Sequence, residues 1–461
     1  MHLRKIEIYL LIFLFSACRN PAEKKVPLIL PEPLPIEKIL SKGVLDISTF
    51  YSTTDYYVYK GITRGFHYEL AKDFADFLGV KLRIKEVNND LDTAISRLKN
   101  GVYDLIAVSM TVTPEREKKI NFAHPLFETG EVLVQQKQKK TVKEMADLDG
   151  KTVFVKKDSP YRKILQQIED SLHIRIKIAE VSQYSPEDML HLVETGEIDY
   201  TVMDENIAQA LAFSMKNLDY SVKLTKGISV SWATDPQATM LIAEINNWQK
   251  KIRKNGKLNM LYRRYFKNSV SLPHPKSKYA LLKKGDISPF DALLKKESQV
   301  LNWDWRLLAA LVYNESKFDP EAESHVGAYG LMQVIPETAN MFNVFDYFTP
   351  DSNIYTGVRY LKYLDDIFSK YPLSPEEKTK FTLASYNAGA GHVMDAMRLA
   401  RKYHKDPYQW KDNVDFFIQN KSNPLYYRDS LSRNGYCNGK QTYEYVERIL
   451  ETYNNYKHIQ P

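Results

Sequence analysis

The chain is predicted to hold an α/β unit in its first half and a mainly α-helical unit in its second. Three observations lead there. Its 461 residues exceed what one compact domain usually takes. Strand and helix signals alternate from residue 44 onward, the pattern of a mostly parallel sheet covered by helices. After residue 300, helical segments are punctuated by glycine-containing loops.

At the start, Arg4 and Lys5 precede the apolar run Ile8 to Phe15 and then Ser16-Ala17-Cys18. A basic end, a short apolar run and small residues make a secretory signal, too short to anchor a membrane by itself. Small residues before a cysteine resemble a lipobox, with cleavage after residue 17 and acylation of Cys18; Phe15 departs from the leucine usual there, though Leu14 is adjacent. The chain has two cysteines, so with Cys18 lipidated Cys437 has no partner and no disulfide framework is expected. The polar, proline-rich stretch up to residue 41 reads as a tether. The reading places the protein on the periplasmic face of the outer membrane, held by lipid. The formal charge of +7 becomes +6 once residues 1–17 are gone; this suits an anionic wall polymer without demanding one. Export argues against a nucleic-acid partner.

Strands are expected at Val44–Phe50, Lys81–Val87 and Tyr103–Val108, and helices at Glu69–Leu78, capped by Gly79, and at Leu91–Lys99. The texts Gly65-Phe-His-Tyr-Glu-Leu, Gly101-Val-Tyr-Asp104-Leu, Thr111-Val-Thr-Pro-Glu-Arg116 and Asn121-Phe-Ala-His-Pro125 then resemble the family 3 periplasmic solute-binding domain over about 42–268. The resemblance implies two α/β lobes, the first from about 42–133 and 228–268 and the second from 134–227, closing on a ligand like a hinge. It also implies that Arg116 holds a ligand carboxylate in a planar fork, with Ser109 and Thr111 beside it, Ser159 donating from the second lobe and Asp204 meeting an α-amino group. The implied ligand is an amino acid or a peptide. From the residues alone, Arg116 also reads as a first-turn helix residue, Asp204 as a helix cap, and Tyr51, Tyr56 and Tyr57 as either pocket wall or packing. The segment 269–286, rich in lysine and proline, reads as a linker.

In 305–318 the apolar positions Leu308, Leu311, Val312 and Phe318 recur at helical spacing, and Glu315 falls in register with them. A carboxyl on an apolar stripe is poorly hydrated, which disfavours its charged form and raises its pKa toward that of a general acid. The plainer reading is an ion pair with Lys317 or Arg306. Three further motifs follow: the loop from Ser324 through Gly330 to Gln333, leading into a helix begun by Pro336; Tyr386-Asn387-Ala-Gly389; and Gln441-Thr442-Tyr-Glu-Tyr445-Val446. In this order they resemble the soluble lytic transglycosylase domain over about 287–457, a lysozyme-like fold.

The resemblance implies that Glu315 is a single catalytic acid/base acting on peptidoglycan glycan strands. Ser316, Ser324, Gly330, Met332, Gln333, Tyr386, Asn387 and Tyr445 would bind the glycan. Ordinary glycosidases use two carboxylates; Asp319, Glu321, Glu323 and Glu337 lie in polar, turn-rich settings unlike that of Glu315. A lytic transglycosylase replaces the second carboxylate with the sugar's own C6 hydroxyl. The expected whole is multidomain: a two-lobed α/β periplasmic solute-binding fold followed by a mainly α lysozyme-like domain (287–461). No metal or other cofactor is implied. A hydrolytic goose-type muramidase and a ligand sensor with an inactive catalytic domain are the alternatives.

Overall fold

The computed structural model describes residues 35–459, apart from 53, 60, 88–89, 140, 158, 183, 185, 213–214, 268–285 and 325–326. Cys18, the signal segment and nearly all of the expected linker lie outside the described residues.

The first lobe is a six-stranded sheet. Its strands are β1 (Val44–Thr49), β4 (Lys81–Val87), β5 (Leu105–Thr111), β6 (Asn121–Phe122), β7 (Phe127–Thr129) and β13 (Ile228–Thr234), in the order β4-β1-β5-β13-β6 with β7 on β13. β1 runs parallel to β4 and β5, and β13 returns antiparallel to β5. Leu45 and Ile47 on one face of β1 and Ser48 on the other are fully buried, as expected of a parallel strand covered on both faces. A separate two-stranded hairpin, β2 (Tyr57–Tyr59) with β3 (Ile62–Arg64), projects from this lobe.

The second lobe is a five-stranded sheet of β8 (Glu131–Gln136), β9 (Thr152–Lys156), β10 (Lys177–Val181), β11 (Tyr200–Asp204) and β12 (Leu218–Lys223), ordered β10-β9-β11-β8-β12. Its side chains alternate faithfully. Leu133, Val153, Val155 and Val202 enter one core, while Val132, Val134 and Met203 enter another on the opposite face. The chain thus builds most of lobe one, makes lobe two, and comes back at β13.

The C-terminal unit is helical. Trp305–Ser316 runs through its centre and packs against the last helix, Gly439–Tyr456. Leu308, Leu311, Val312, Ile354, Phe381 and Val446 are fully buried there, each contributing roughly 1.5–3 kcal/mol. Side-chain caps set the helix starts: Asp304 accepts from Arg306 N, Thr349 from Ser352 N, and Ser374 from Glu377 N.

Several boundaries differ from expectation. Lys81–Val87 and Leu91–Lys99 match, but the helix expected from Glu69 begins at Phe66. The strand expected from Tyr103 begins at Leu105. The tether reading runs too far: Pro35–Lys42 is a helix, with Ile36 and Ile39 buried in the lobe-one core. Eight residues beside prolines carry too little periodicity to reveal this.

The two units touch through lobe one. The Tyr456 hydroxyl donates to Gly61 O (2.7 Å), His458 Nε2 meets Ile84 O (2.8 Å), and Tyr56 donates to Asn455 O. Lys72 pairs with Glu451 and Lys81 with Glu447, both acids on the last helix.

Candidate functional sites

The Trp305–Ser316 helix ends in two residues of positive φ, Lys317 (57°) and Phe318 (61°), so the chain turns sharply just after Glu315. Glu315 is sunk on the helix but keeps part of its surface in solvent. The Tyr445 hydroxyl donates to its Oε1. Burial pushes its pKa up to about 7, against the opposing influence of the Tyr445 hydrogen bond and the positive Lys317 and Arg448. Among the described residues no acidic group contributes. The alternative ion pairs do not form: Arg306 is held by Asp304 at 2.8 Å, and the Lys317 ammonium lies over the Tyr313 ring.

The loop opposite is fixed from three sides. Asn353, 1% exposed, accepts from Met332 N (2.8 Å) and donates to Tyr329 O (2.9 Å) and Tyr347 O (3.0 Å). Ser316 Oγ reaches Leu331 O (2.9 Å), and the Tyr386 hydroxyl donates to Met332 O (2.8 Å). Gly330 adopts φ 77°, where an added Cβ would meet the Asn353 amide at 2.5 Å. Gln333, also of positive φ, spends its amide on Ala322 O and Gly330 O, both 3.0 Å. Ser324 Oγ accepts from Ala328 N. Asn387 Oδ1 accepts from Thr442.

Of the residues expected to bind glycan, Ser316, Met332 and Tyr386 therefore use their polar atoms to hold this loop beneath Glu315, and Ser316 and Met332 are buried. Asn353, which the sequence reading missed, is the loop's main support. Asp319, Glu321, Glu323 and Glu337 are all exposed.

The second site lies between the lobes, a cavity of about 1080 Å³ lined by residues of both. Ser109, Thr111, Arg116, Ser159 and Asp204 all line it, as does Tyr51; Tyr56 and Tyr57 are 0% and 3% exposed and pack in the core. Arg116 Nη1 donates to Thr111 O (2.8 Å) and Oγ1 (2.7 Å), which anchors the guanidinium on lobe one. Arg116 is also a first-turn residue, its N capped by Thr113. Ser159 donates its hydroxyl proton to Lys156 O, leaving lone pairs rather than a donor for a ligand.

His67 was overlooked. Fully buried, it accepts at Nδ1 from Trp232 Nε1 (2.8 Å), a group that can only donate, so Nε2 carries the proton and gives it to Ser109 Oγ (2.9 Å). Burial pulls its pKa down to about 3, keeping it neutral. The Ser109 hydroxyl is left with its own proton to offer the cleft. Asp55 accepts from Ser109 N (2.8 Å).

Among the described residues no helix is long and apolar enough to cross a membrane.

Residues 47–268 match the family of bacterial extracellular solute-binding proteins, family 3, and residues 292–409 match the transglycosylase SLT domain. A membrane-bound lytic murein transglycosylase F from Desulfosudis oleivorans is 32% identical over 423 residues, covering 90% of each chain. The protein of that name from Alcanivorax borkumensis is 30% identical, covering 92% of this chain and 90% of its own. Among solved structures, a mutant of ArgBP from T. maritima shares 28% identity with a TM-score of 0.45, over 51% of this chain and 100% of its own. The chain is a peptidoglycan lytic transglycosylase, and it belongs to the membrane-bound lytic murein transglycosylase F family.

Proposed function

We propose that Glu315 is the enzyme's single acid/base, cleaving the β-1,4 bond between N-acetylmuramic acid and N-acetylglucosamine without water. The observation that supports this most is a carboxyl held near pKa 7 with no second acid among the described residues acting on it. Protonated Glu315 gives its proton to the bridging glycosidic oxygen as the bond to C1 breaks. The 2-acetamido group supports the positive charge at C1. Glu315, now a carboxylate, takes the proton of the muramic acid C6 hydroxyl as that oxygen bonds to C1, giving a 1,6-anhydro end and regenerating the acid. Tyr445 steadies the carboxylate half of the cycle, while the loop held by Asn353, Ser316 and Tyr386 lies along the sugar. Mass analysis of digested glycan tests this: products one water lighter than hydrolytic fragments, and none from Glu315→Gln, are expected. Hydrated ends would favour the goose-type muramidase, and an unaltered glutamine variant would reject Glu315.

The interlobe cleft is assigned an amino acid or short peptide, its carboxylate on Arg116, Thr111 and Ser109 and its α-ammonium on Asp204. Ligand binding there would adjust glycan turnover. The route is short: Thr54 and Asp55 line the cleft, and the β2–β3 hairpin that follows puts Gly61 against Tyr313 and Phe318, which flank Glu315. Turnover with and without wall-derived peptides tests it; an unchanged rate together with no binding would reject it. Lipidation at Cys18, holding the enzyme on the periplasmic face of the outer membrane, completes the reading. Fatty-acid labelling lost in Cys18→Ser would support it, and labelling retained in that variant would exclude it.

A further inference from the structure

Ile335, Met341, Phe345 and Phe348 are all exposed, Phe345 at 80% and Phe348 at 52%. Apolar side chains scattered singly over a surface need no explanation, but four gathered in one short stretch of chain mark a contact surface.

The rings of this stretch are anchored. Phe348 stacks on Tyr347, with centroids 4.5 Å apart and planes at 24°, and Tyr347 packs against the core of the catalytic unit. Phe348 also meets Tyr329 in a T-shaped pair at 5.0 Å. Tyr329 belongs to the loop beneath Glu315, where its N and O pair with Val334 O (3.0 Å) and Val334 N (2.9 Å). The Asn353 side chain that accepts from Met332 N gives its two hydrogens to Tyr329 O and Tyr347 O. One buried amide thus ties the catalytic loop to both ring-bearing segments, and the rings keep a fixed offset from Glu315.

The charge around the patch narrows what can lie on it. Residues 334–352 include Glu337, Asp346 and Asp351 and no lysine, arginine or histidine. An anionic bilayer surface asks for basic residues around an apolar insertion, so it suits this patch poorly. A glycan strand suits it well, because each pyranose turns an apolar C–H face to an aromatic ring and the N-acetyl groups add methyls without charge. Tyr329 and Met332 share one loop, so the rings continue the cleft outward from Glu315.

We propose that Tyr329, Phe345 and Phe348 form a stacking shelf for sugar rings beyond the two that flank the cleaved bond, and that the shelf makes the enzyme select long glycan strands over short ones. This rests on the reading of Glu315 as the acid at the cleaved bond. Stacking on remote sugars is equally strong before and at the transition state, so it lowers KM and leaves kcat alone.

Steady-state cleavage of a peptidoglycan tetrasaccharide and of long strands by the full chain tests it. Per cleavable bond, wild-type kcat/KM should be about fivefold or more higher for long strands, through KM. The Phe345→Ala/Phe348→Ala double variant should bring that ratio close to one, while Phe348→Trp, which keeps a stacking face, should preserve it. A loop that had merely loosened would slow both substrates alike and leave the ratio unchanged. That result, or a wild type without length preference, would overturn the proposal. Vesicle binding or self-association lost in the double variant, with the ratio intact, would reassign the patch and overturn it as well. Glu315→Gln separates the two readings: if it still cleaves both substrates, the reading of Glu315 falls and the placement of the shelf with it. If it is inactive while the ratio ignores the shelf variants, the shelf alone falls.

Discussion

The Tyr445 hydroxyl donates its hydrogen bond to Glu315 Oε1 across 130 residues of sequence, joining the last helix of the chain to the central one. A donor of this kind favours the carboxylate, so it opposes the burial that raises the acid's pKa. The pair sets how readily the proton is given up.

Glycan cleavage should therefore fall as pH rises through about 7, where the acid form of Glu315 is lost. In Tyr445→Phe the donor is gone, the carboxylate is less favoured, and the alkaline limb should move to higher pH with turnover down roughly 10-fold or more. A pH–rate profile reads both changes. A limb that stays in place or moves to lower pH would contradict the pairing.

Glu315→Gln should be more stable than the wild type in alkali. The folded-state pKa lies above the unfolded value of 4.5, so the carboxyl's contribution is fully present below pH 4.5 and is lost as pH rises through about 7. Glutamine has no such loss. The difference should grow between pH 5 and 8 to at most about 3 kcal/mol, less whatever cleft water recovers. Denaturant melts at pH 4 and pH 8 compare the two, and equal stability at pH 8 would mean that the carboxyl is well hydrated.

Asn353→Ala leaves Met332 N, Tyr329 O and Tyr347 O without their partner in a buried setting. The expected cost is about 2–4 kcal/mol, with turnover reduced because the loop beneath Glu315 loses its support. Asn353→Asp, which keeps the acceptor for Met332 N and loses the donors, should fall between the two. Thermal melting and single-turnover rates measured together check this, and a fully active alanine variant would place the loop's support elsewhere.

Gly61 holds φ 74°, and an added Cβ would lie 2.4 Å from the Tyr313 ring. Gly61→Ala should therefore push the β2–β3 hairpin off the catalytic unit at a cost on the order of 1–3 kcal/mol. Calorimetry should show the two units melting further apart in temperature. An unshifted endotherm would show that the contact between the units is soft.

Local pattern carried much of this. The period of Leu308, Leu311 and Val312 exposes Glu315 as misplaced among apolar residues, and strand alternation marks Lys81–Val87. What stayed hidden depends on pairing at a distance. His67 acquires meaning only when Trp232 and Ser109 meet on its two nitrogens. Asn353 reads as an ordinary polar residue of a helix until the loop around Met332 folds onto it. Ser316 and Tyr386 lie in the expected region, yet their hydroxyls serve backbone carbonyls, a role no spacing announces.

The most direct trial of the non-hydrolytic mechanism is digestion of purified peptidoglycan in water enriched in oxygen-18, followed by mass spectrometry of the new ends. Attack by the C6 hydroxyl predicts anhydro ends free of label from the wild type and no new ends from Glu315→Gln. Label at C1 of the released muramic acid would mean that water is the nucleophile and would contradict the mechanism.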